Sequence, residues 1–520
     1  MNKINPSRWY PPFREKNIII LLFILLQAAY LLAEYNITGH QFGVPLDDVW
    51  IHFRYAENFA AGNFFQYNPG EPTPGTTSPI WVAILSIPFL FSPNLIIPFA
   101  LFLSSIFFLY ALLELFDLCV KLGLSSENSM LITILTLLAG RLAWSSLSGM
   151  EITLFVLFCI LVIKNHIKEI DKNKLFISTG ILLGIACVTR PEAYLLALIY
   201  YTISVLLFRK TLKENIRNLV FSLIIFIIII LPYPLFCYFT IGEFLPNTYH
   251  GQVTQMNYLP NFEFLVETGK LFVKDNCLIL ILWFGAMGYF IFSLIRRKIN
   301  NKFLLINLWV ILLPAISSII APNWRHHGRY LIPLIPFINI VSVNLFEKIC
   351  NYFVTGSFKH ASLYRKLLAA AILIFTISST AIFAGALGWN VDNINNQQVK
   401  IGNWLRENLP NEKAFGMNDI GAITFITKKY VVDMEGLVTP QVFKFQKMSY
   451  EDGAKSLLML LKEKGVNYMI IYPDWYDYMM KKYSSSFQQV FSARLEKNTI
   501  CGGIEMFVYK INWGTINLSP

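Results

Sequence analysis

The sequence predicts a polytopic α-helical membrane protein of about 11–13 spans that ends in a small extracytoplasmic α/β domain. Three observations carry this expectation. Hydrophobic residues make up 55% of the 520 residues and charged residues only 14%, whereas an ordinary soluble domain carries about 25% charged residues. Apolar runs approaching the ~20 residues that cross a bilayer recur through the first three quarters of the chain. From Gly388 onward charges return, and helix-like and strand-like runs alternate. This composition excludes disordered, collagen-like and coiled-coil chains and a soluble multidomain enzyme. The formal charge is +11. In a soluble protein that would suggest nucleic acid; in a membrane protein it points to basic cytoplasmic loops and no nucleic-acid partner. The seven cysteines form no CxxC pair, so neither a zinc site nor a disulfide framework is supported, and no metal is assigned.

The first apolar run, 17–32, follows Lys3, Arg8, Arg14 and Lys16. No small-residue cleavage site follows it, so it reads as a retained helix with its N-terminus in the cytoplasm. Residues 35–78 then form a first outer loop. Further runs lie near 95–119, 128–146, 150–163, 175–189, 193–208, 218–240, 276–294, 303–321, 331–347 and 367–387. The stretch 78–91 is short and holds Pro79 and Pro88. Leaving it out as a span puts every Lys/Arg-rich loop on the cytoplasmic side; counting it moves four of them outside. The positive-inside rule therefore favours a re-entrant or interfacial segment, about eleven spans and an outer C-terminus. The segments 3–16, 164–174, 209–217, 296–302 and 347–366 hold 20 Lys/Arg against 5 Asp/Glu, so the basic balance is mostly a topology signal. The chain divides into a membrane unit, 1–387, and a soluble unit, 388–520. In the latter, 414–417, 430–434, 468–472 and 506–510 read as strands, and 396–408, 450–464 and 474–483 as helices.

Charges at membrane depth cost about 2.5–3.5 kcal/mol on insertion scales. Asp47, Asp48, Arg54, Glu57, Arg141, Glu151, Arg190, Glu192, Arg325 and Arg329 all fall at outer span ends or in outer loops under this topology. They converge on one face. Asp47 and Asp48 open a helix whose apolar face is 49, 53, 56 and 60. They serve either as helix-start residues or as carboxylates held at the membrane surface to meet a sugar hydroxyl. Asn68-Pro69-Gly70-Glu71 reads as a tight turn. Residues 73–79 read as a rigid loop or a hydroxyl-rich sugar contact. Arg190 is either an interfacial snorkelling residue or a phosphate ligand. Arg325-His326-His327-Gly328-Arg329 is either a lipid-headgroup anchor or a phosphate clamp, since Arg binds phosphate bidentately.

The run LDDVWIHFRYAENFAAGNFFQYNPGEPTPGTTSPIW resembles the polytopic glycosyltransferases of the GT-C superfamily, and within them the terminal arabinofuranosyltransferase-like group. Five further segments agree in order: 148–151, 189–192, 245–249, 329–333 and 418–438. The chain departs from that pattern at Gln252, where the group carries Lys, and at His52, where smaller residues are usual. The resemblance implies the GT-C fold and transfer of a sugar from a polyprenyl-phosphate donor to a glycan or lipid-linked acceptor. It places this on the outer face of the cytoplasmic (inner) membrane. Asp47 and Asp48 are then expected to be catalytic, with Asp47 activating the acceptor and Asp48 orienting Asp47 or the sugar. Arg190, Arg325, His326 and Arg329 are expected to meet the donor phosphate. Tyr55, Thr77, Glu151, Glu192, Asn247 and Tyr249 are expected to contact sugar or acceptor. No cofactor is implied, and divalent-metal dependence is open. The alternative is a lipid or glycan transporter or flippase with an outer accessory domain. That would call for ionisable residues at mid-membrane and often for internal repeats. A glycan-binding sensor is a weaker third reading.

Overall fold

The computed structural model describes residues 13–252, 259–355 and 361–518. Lys3, Arg8 and Lys359, used above to read topology, lie outside them.

Every expected apolar run is helical. Among the described residues, seven helical stretches are long and apolar enough to cross a membrane. They are Arg14–Ile37, Pro93–Lys121, Arg209–Ile241, Phe262–Ile295, Asn301–Ile320, Arg325–Tyr352 and Leu363–Asn408. Ser126–Leu137 and Gly140–Ser146 form an eighth as a pair bent by 65°. Ile177–Thr189 and Ala193–Leu207 are apolar but shorter, and Ile152–Lys172 turns polar in its last turns. Length and apolarity alone thus recognise fewer spans than the eleven runs expected from sequence. The protein is a multi-pass membrane protein. Pro79–Leu90 is a helix of seven residues followed by a 3-10 turn, too short to span, as its two prolines foretold.

Small residues let the helices approach closely, as packing inside a bilayer favours. Ile177–Thr189 lies along Leu212–Ile230. A Cβ on Gly180 would come within 2.1 Å of the Ser222 carbonyl oxygen. Gly140 meets Ala361–Ile394 in the same way, 2.5 Å from the Ser379 carbonyl oxygen. On the other side of Leu212–Ile230, Val220, Ile224 and Ile228 are exposed, an apolar surface suited to lipid.

Phe262–Ile295 breaks at Asn276, whose backbone leaves the helical region (φ −171°, ψ 107°). The Asn276 side chain accepts from the amides of Leu278 and Ile279 and donates to the Ile372 carbonyl and Thr376. It thereby caps the second half, the part that sequence identified as the span.

The basic turns meet at one end of the bundle. There Lys16 pairs with Asp117, Lys164 with Glu114 and Asp117, Lys302 with Asp171, and Arg365 with Glu127. The C-terminal unit sits at the other end. Ala361–Ile394 runs past Gly388 into a π-helical turn, Asn395–Val399, and on through Lys400–Asn408. The change in composition at Gly388 therefore falls inside a continuous helical run.

The C-terminal unit has a five-stranded mixed sheet in the order β2-β1-β3-β5-β4. The strands are β1 (Ala414–Met417), β2 (Tyr430–Asp433), β3 (Tyr468–Ile471), β4 (Phe487–Arg494) and β5 (Glu505–Ile511). β1 pairs in parallel with β2 and β3; β5 runs antiparallel to β3 and β4. β4 and the helix Gly421–Thr427 were not foreseen. β4 is an edge strand with Gln488, Gln489 and Val490 exposed, so it lacks the apolar run that marks the other strands. Tyr450–Glu463 packs Leu457, Leu458 and Leu461 on one face, against Val432, Met469 and Ile471. Phe415, Met417, Val431 and Ile470 on the other face join the core that runs into the bundle.

Replacing Gly180 by Val should push the two helices apart. The expected outcome is a lower thermal midpoint and loss of the monodisperse peak in detergent size-exclusion chromatography, while Gly288→Ala, which has open space around it, should elute as the unmodified protein does.

Candidate active site

The helix Asp47–Ala60 lies where the bundle meets the C-terminal unit. Asp47 and Asp48 occupy its first turn, but neither caps it: the N-cap is Leu46, with no side-chain capping bond. Asp47 instead caps a helix of the other unit. Its two carboxylate oxygens accept the backbone N–H groups of Gly421 (2.7 Å) and Ala422 (2.8 Å), the first turn of Gly421–Thr427, where anions are favoured. A Cβ on Gly421 would lie 2.1 Å from the Asp47 carbonyl oxygen, so only glycine permits this approach. Burial, helped by the charge of Asp419, pushes the Asp47 carboxyl above the usual carboxylate range, with the two N–H donors working against that rise.

The rest of the first loop is docked the same way. Tyr67 donates to the Ile420 carbonyl at 2.6 Å. The Asn68 amide donates to and accepts from Val431 of β2, at 2.9 and 3.0 Å. Glu71 accepts from Tyr430 and Lys464, and Glu57 from Lys428. The tight turn read from sequence is thus an interface piece. Tyr55 is fully buried; it donates to the Thr73 carbonyl and accepts the Gly75 amide, both at 3.1 Å. Asn247 is buried and bonds the carbonyls of Pro74 and Leu437. Both residues hold the 73–79 loop in place, so this geometry does not direct either toward a ligand. Tyr249 lies on the short helix Asn247–Gln252.

Two adjoining cavities open at this joint. The first, about 680 Å³, is lined by Asp47, Asp48, Asp419, Asp433 and Glu435 together with Gln398, Asn418 and Trp475. The second, about 380 Å³, is lined by Arg190, Arg325, Arg329, His52, Glu151 and Thr77. Asp48, Ile51, Arg325, His326, Glu435 and Leu437 line both. One lobe is rich in carboxylates, the other in cations.

The cations differ in how far they are already paired. Arg190 is buried and gripped by Glu151 (2.7 Å) and Glu192 (2.8 Å), with Tyr330 beneath its guanidinium. It neither snorkels nor stands free. Arg329 holds Asp48 at 2.5 Å and also donates to Tyr330. Burial alone would raise the Asp48 carboxyl, but Arg329 and His326 outweigh it and hold the group down at about 2. Arg325 is exposed and borders both lobes. Among the described residues no carboxylate pairs with it. His52 is buried 3.7 Å from Glu151, and burial lowers its ring below the usual imidazole range.

Arg325–Gly328 forms a single turn in which His326 (φ 51°), His327 (φ 60°) and Gly328 (φ 64°) are all left-handed. Two adjacent non-glycine residues in that region store strain that the surroundings must hold. His327 anchors the turn. Its ring bonds Asn390 at 2.9 Å and packs on Trp144 and Phe383, and its carbonyl accepts from Arg141. His326 and Arg325 are left facing the cavities. Arg141 in turn makes a buried bidentate pair with Asp275. Asp275 went unnoticed in the sequence because it sits beside the apolar run that begins at 276.

Glu435 and Asp419 were also missed as site residues, although they lie in the 418–438 segment singled out above. Glu435 accepts from Tyr476 at 2.6 Å, and burial raises its carboxyl. Asp433, beside it, is taken up by the amides of Glu435 and Val438 and is pushed up to about 7 by burial. Among the described residues, no three His, Cys, Asp or Glu side chains converge as a metal site.

A family model described as a domain of unknown function (DUF8728) matches residues 392–509. No curated protein sequence matches the chain. Solved structures do resemble it. ArnT from Cupriavidus metallidurans bound to undecaprenyl phosphate is 13% identical, with 94% of this chain and 97% of that one covered and a TM-score of 0.58. The oligosaccharyltransferase of Archaeoglobus fulgidus in its apo form is 12% identical, covering 98% and 76%, at 0.59. AglB from Archaeoglobus fulgidus in complex with an inhibitory peptide and a dolichol-phosphate is 14% identical, covering 98% and 75%, at 0.60. The fold is therefore the GT-C fold that the first-loop motif implies.

Asp47→Ala removes the two hydrogen bonds that cap Gly421–Thr427, a loss of about 1 kcal/mol or more. The expected outcome is a lower thermal midpoint and faster proteolytic cutting in residues 388–413. Gly421→Ala, which keeps the carboxylate but blocks the approach, should do the same.

Proposed function

We propose that this protein is a glycosyltransferase that moves a sugar from a polyprenyl-phosphate donor to a glycan or lipid-linked acceptor. The observation that carries the reading is the two-lobed cavity, in which Arg325, with no carboxylate partner among the described residues, stands beside a carboxylate group at the junction of bundle and domain. The GT-C fold supports it, as do the lipid phosphates held by two structures of similar fold. The basic turns gather at the far end of the bundle, which under the positive-inside rule supports an extracytoplasmic cavity at the cytoplasmic membrane.

In this reading the donor phosphate lies in the cationic lobe. An acceptor hydroxyl attacks the anomeric carbon, the bond from that carbon to the phosphate oxygen breaks, and the hydroxyl proton passes to a carboxylate. Charge grows on the departing phosphate. Arg325, exposed and with no carboxylate partner among the described residues, is placed to meet it as a preorganised cation acts on a developing anion; His326, whose ring burial keeps neutral, can add a hydrogen bond, while Arg329 is already paired with Asp48. Arg190 is neutralised by Glu151 and Glu192, so it shapes the pocket and supplies little net charge.

On this reading the acid–base roles are divided differently among the carboxylates. Asp47 has both oxygens engaged by backbone amides, so it holds the joint. Asp48, kept ionised at about 2 by Arg329, is a weak base; it orients the acceptor and steadies positive charge on the sugar ring. Glu435 borders both lobes and its carboxyl is raised, which suits a group that accepts the hydroxyl proton.

Glu435→Gln should lower turnover by about 100-fold or more, measured as polyprenyl phosphate released from a labelled lipid-linked sugar by purified enzyme with its acceptor. The base must be deprotonated, and its pKa is raised. Wild-type activity should therefore fall as pH drops through a value above the ordinary glutamate range, and that limb should vanish in Glu435→Gln. An acid limb that persists unchanged would assign it elsewhere. Arg325→Ala should raise the donor KM and slow release, with Arg325→Lys intermediate. Unaltered release in both variants would remove Arg325 from the phosphate site.

A further inference from the structure

Beyond the two lobes, the C-terminal unit carries a third groove of about 970 Å³, between residues 442–457 and 474–482. Its walls are aromatic. Tyr450 is 86% exposed and Trp475 43% exposed, with Phe445, Tyr476 and Tyr478 half-buried around them. Aromatic rings gathered around one groove form a contiguous apolar surface of the kind that marks a binding site, unlike rings exposed singly. The rim supplies Glu435, Gln446, Asp474 and Asp477. Its two lysines are already engaged, Lys481 with Asp477 and Lys482 with Glu451. That leaves flat apolar faces edged by carboxylates and amides with little free positive charge. Such a lining suits the C–H face and hydroxyls of a sugar ring better than a phosphate or a nucleic acid.

Trp475 is held firmly. Its ring lies 5.4 Å from that of Tyr472, and a Cβ on Gly502 would come within 2.7 Å of both rings. It lines this groove and the carboxylate lobe alike, as does Glu435, to which Tyr476 donates at 2.6 Å. The groove and the carboxylate lobe therefore meet at a shared wall made by Glu435 and Trp475.

We propose that this groove is an acceptor track that binds several consecutive sugar units of a glycan chain and delivers the chain end past Trp475 to Glu435. The substrate class so named is an oligosaccharide or polysaccharide acceptor, as opposed to a monosaccharide lipid or a peptide. Its role as acceptor rests on the transferase reading; the binding itself does not.

The test measures binding of the full chain in detergent micelles to an array of cell-envelope oligosaccharides graded in length, with lipid-linked sugar cleavage assayed separately. Affinity should rise with chain length, and Tyr450→Ala and Trp475→Ala should each weaken binding of the longer chains by about tenfold, with Trp475→Phe retaining it. Tyr450 is so exposed that its variant tests the groove without disturbing the fold. Oligosaccharide binding that ignores both aromatics, no binding at any length, or preference for peptides would overturn the track. A chain that binds long glycans through these rings yet never cleaves the lipid-linked sugar would count against the transferase reading and leave the track standing.

Discussion

The structure turns on one carboxylate placed against one helix end. Asp47 begins a helix of the first loop and caps Gly421–Thr427 of the C-terminal unit, which brings the two units together at a point where only glycine fits. Around that contact the first loop adds Tyr67 to Ile420, Asn68 to Val431 and Glu71 to Tyr430 and Lys464. Asn68 gives β2 an amide that mimics a neighbouring strand. The cavities are the space left between surfaces held at this fixed separation. An interface built from directional hydrogen bonds resists sliding more than an apolar one would, because each displaced donor or acceptor becomes a buried unsatisfied group.

The same joint organises charge. A low-dielectric site at the membrane surface tolerates ions only when they are paired. Most of the cations obey: Arg141 with Asp275, Arg190 with Glu151 and Glu192, Arg329 with Asp48. Arg325 stands apart, exposed at the border of the two lobes, carried there by a left-handed turn that His327 pins to Asn390 and Trp144. Asn390 also bonds Thr499 of the C-terminal unit. The turn that presents Arg325 is thus tied to bundle and domain together, and its strain is supported from both sides.

Much of this architecture could be read along the chain. Apolar runs marked the helices, the Lys/Arg distribution marked one end of the bundle, and four of the five strands carried apolar runs. What escaped did so for physical reasons. β4 is an exposed edge with no apolar alternation. Gly421–Thr427 is too short for a periodic signal. Asp275 was hidden beside a long apolar run, and Glu435 lies in a loop whose neighbours have no pattern of their own. The outer-face charges were recognised as a set, because membrane depth penalises ions wherever they fall in the sequence. Their individual tasks were not, because a task depends on which partner lies opposite.

The sequence by itself determined that the chain spans a membrane many times, that an α/β unit follows, and that a group of acids and arginines shares one face with a first loop resembling the GT-C enzymes. Hydropathy and charge are local properties, and the bilayer converts them into position. Only the tertiary structure decided which charges are spent on one another. It set Asp47 against a helix end 374 residues away, bound Arg190 between two glutamates, and left Arg325 and Glu435 facing a shared space. Pairing across such separations has no periodicity to read; it exists only once the two units have closed on each other.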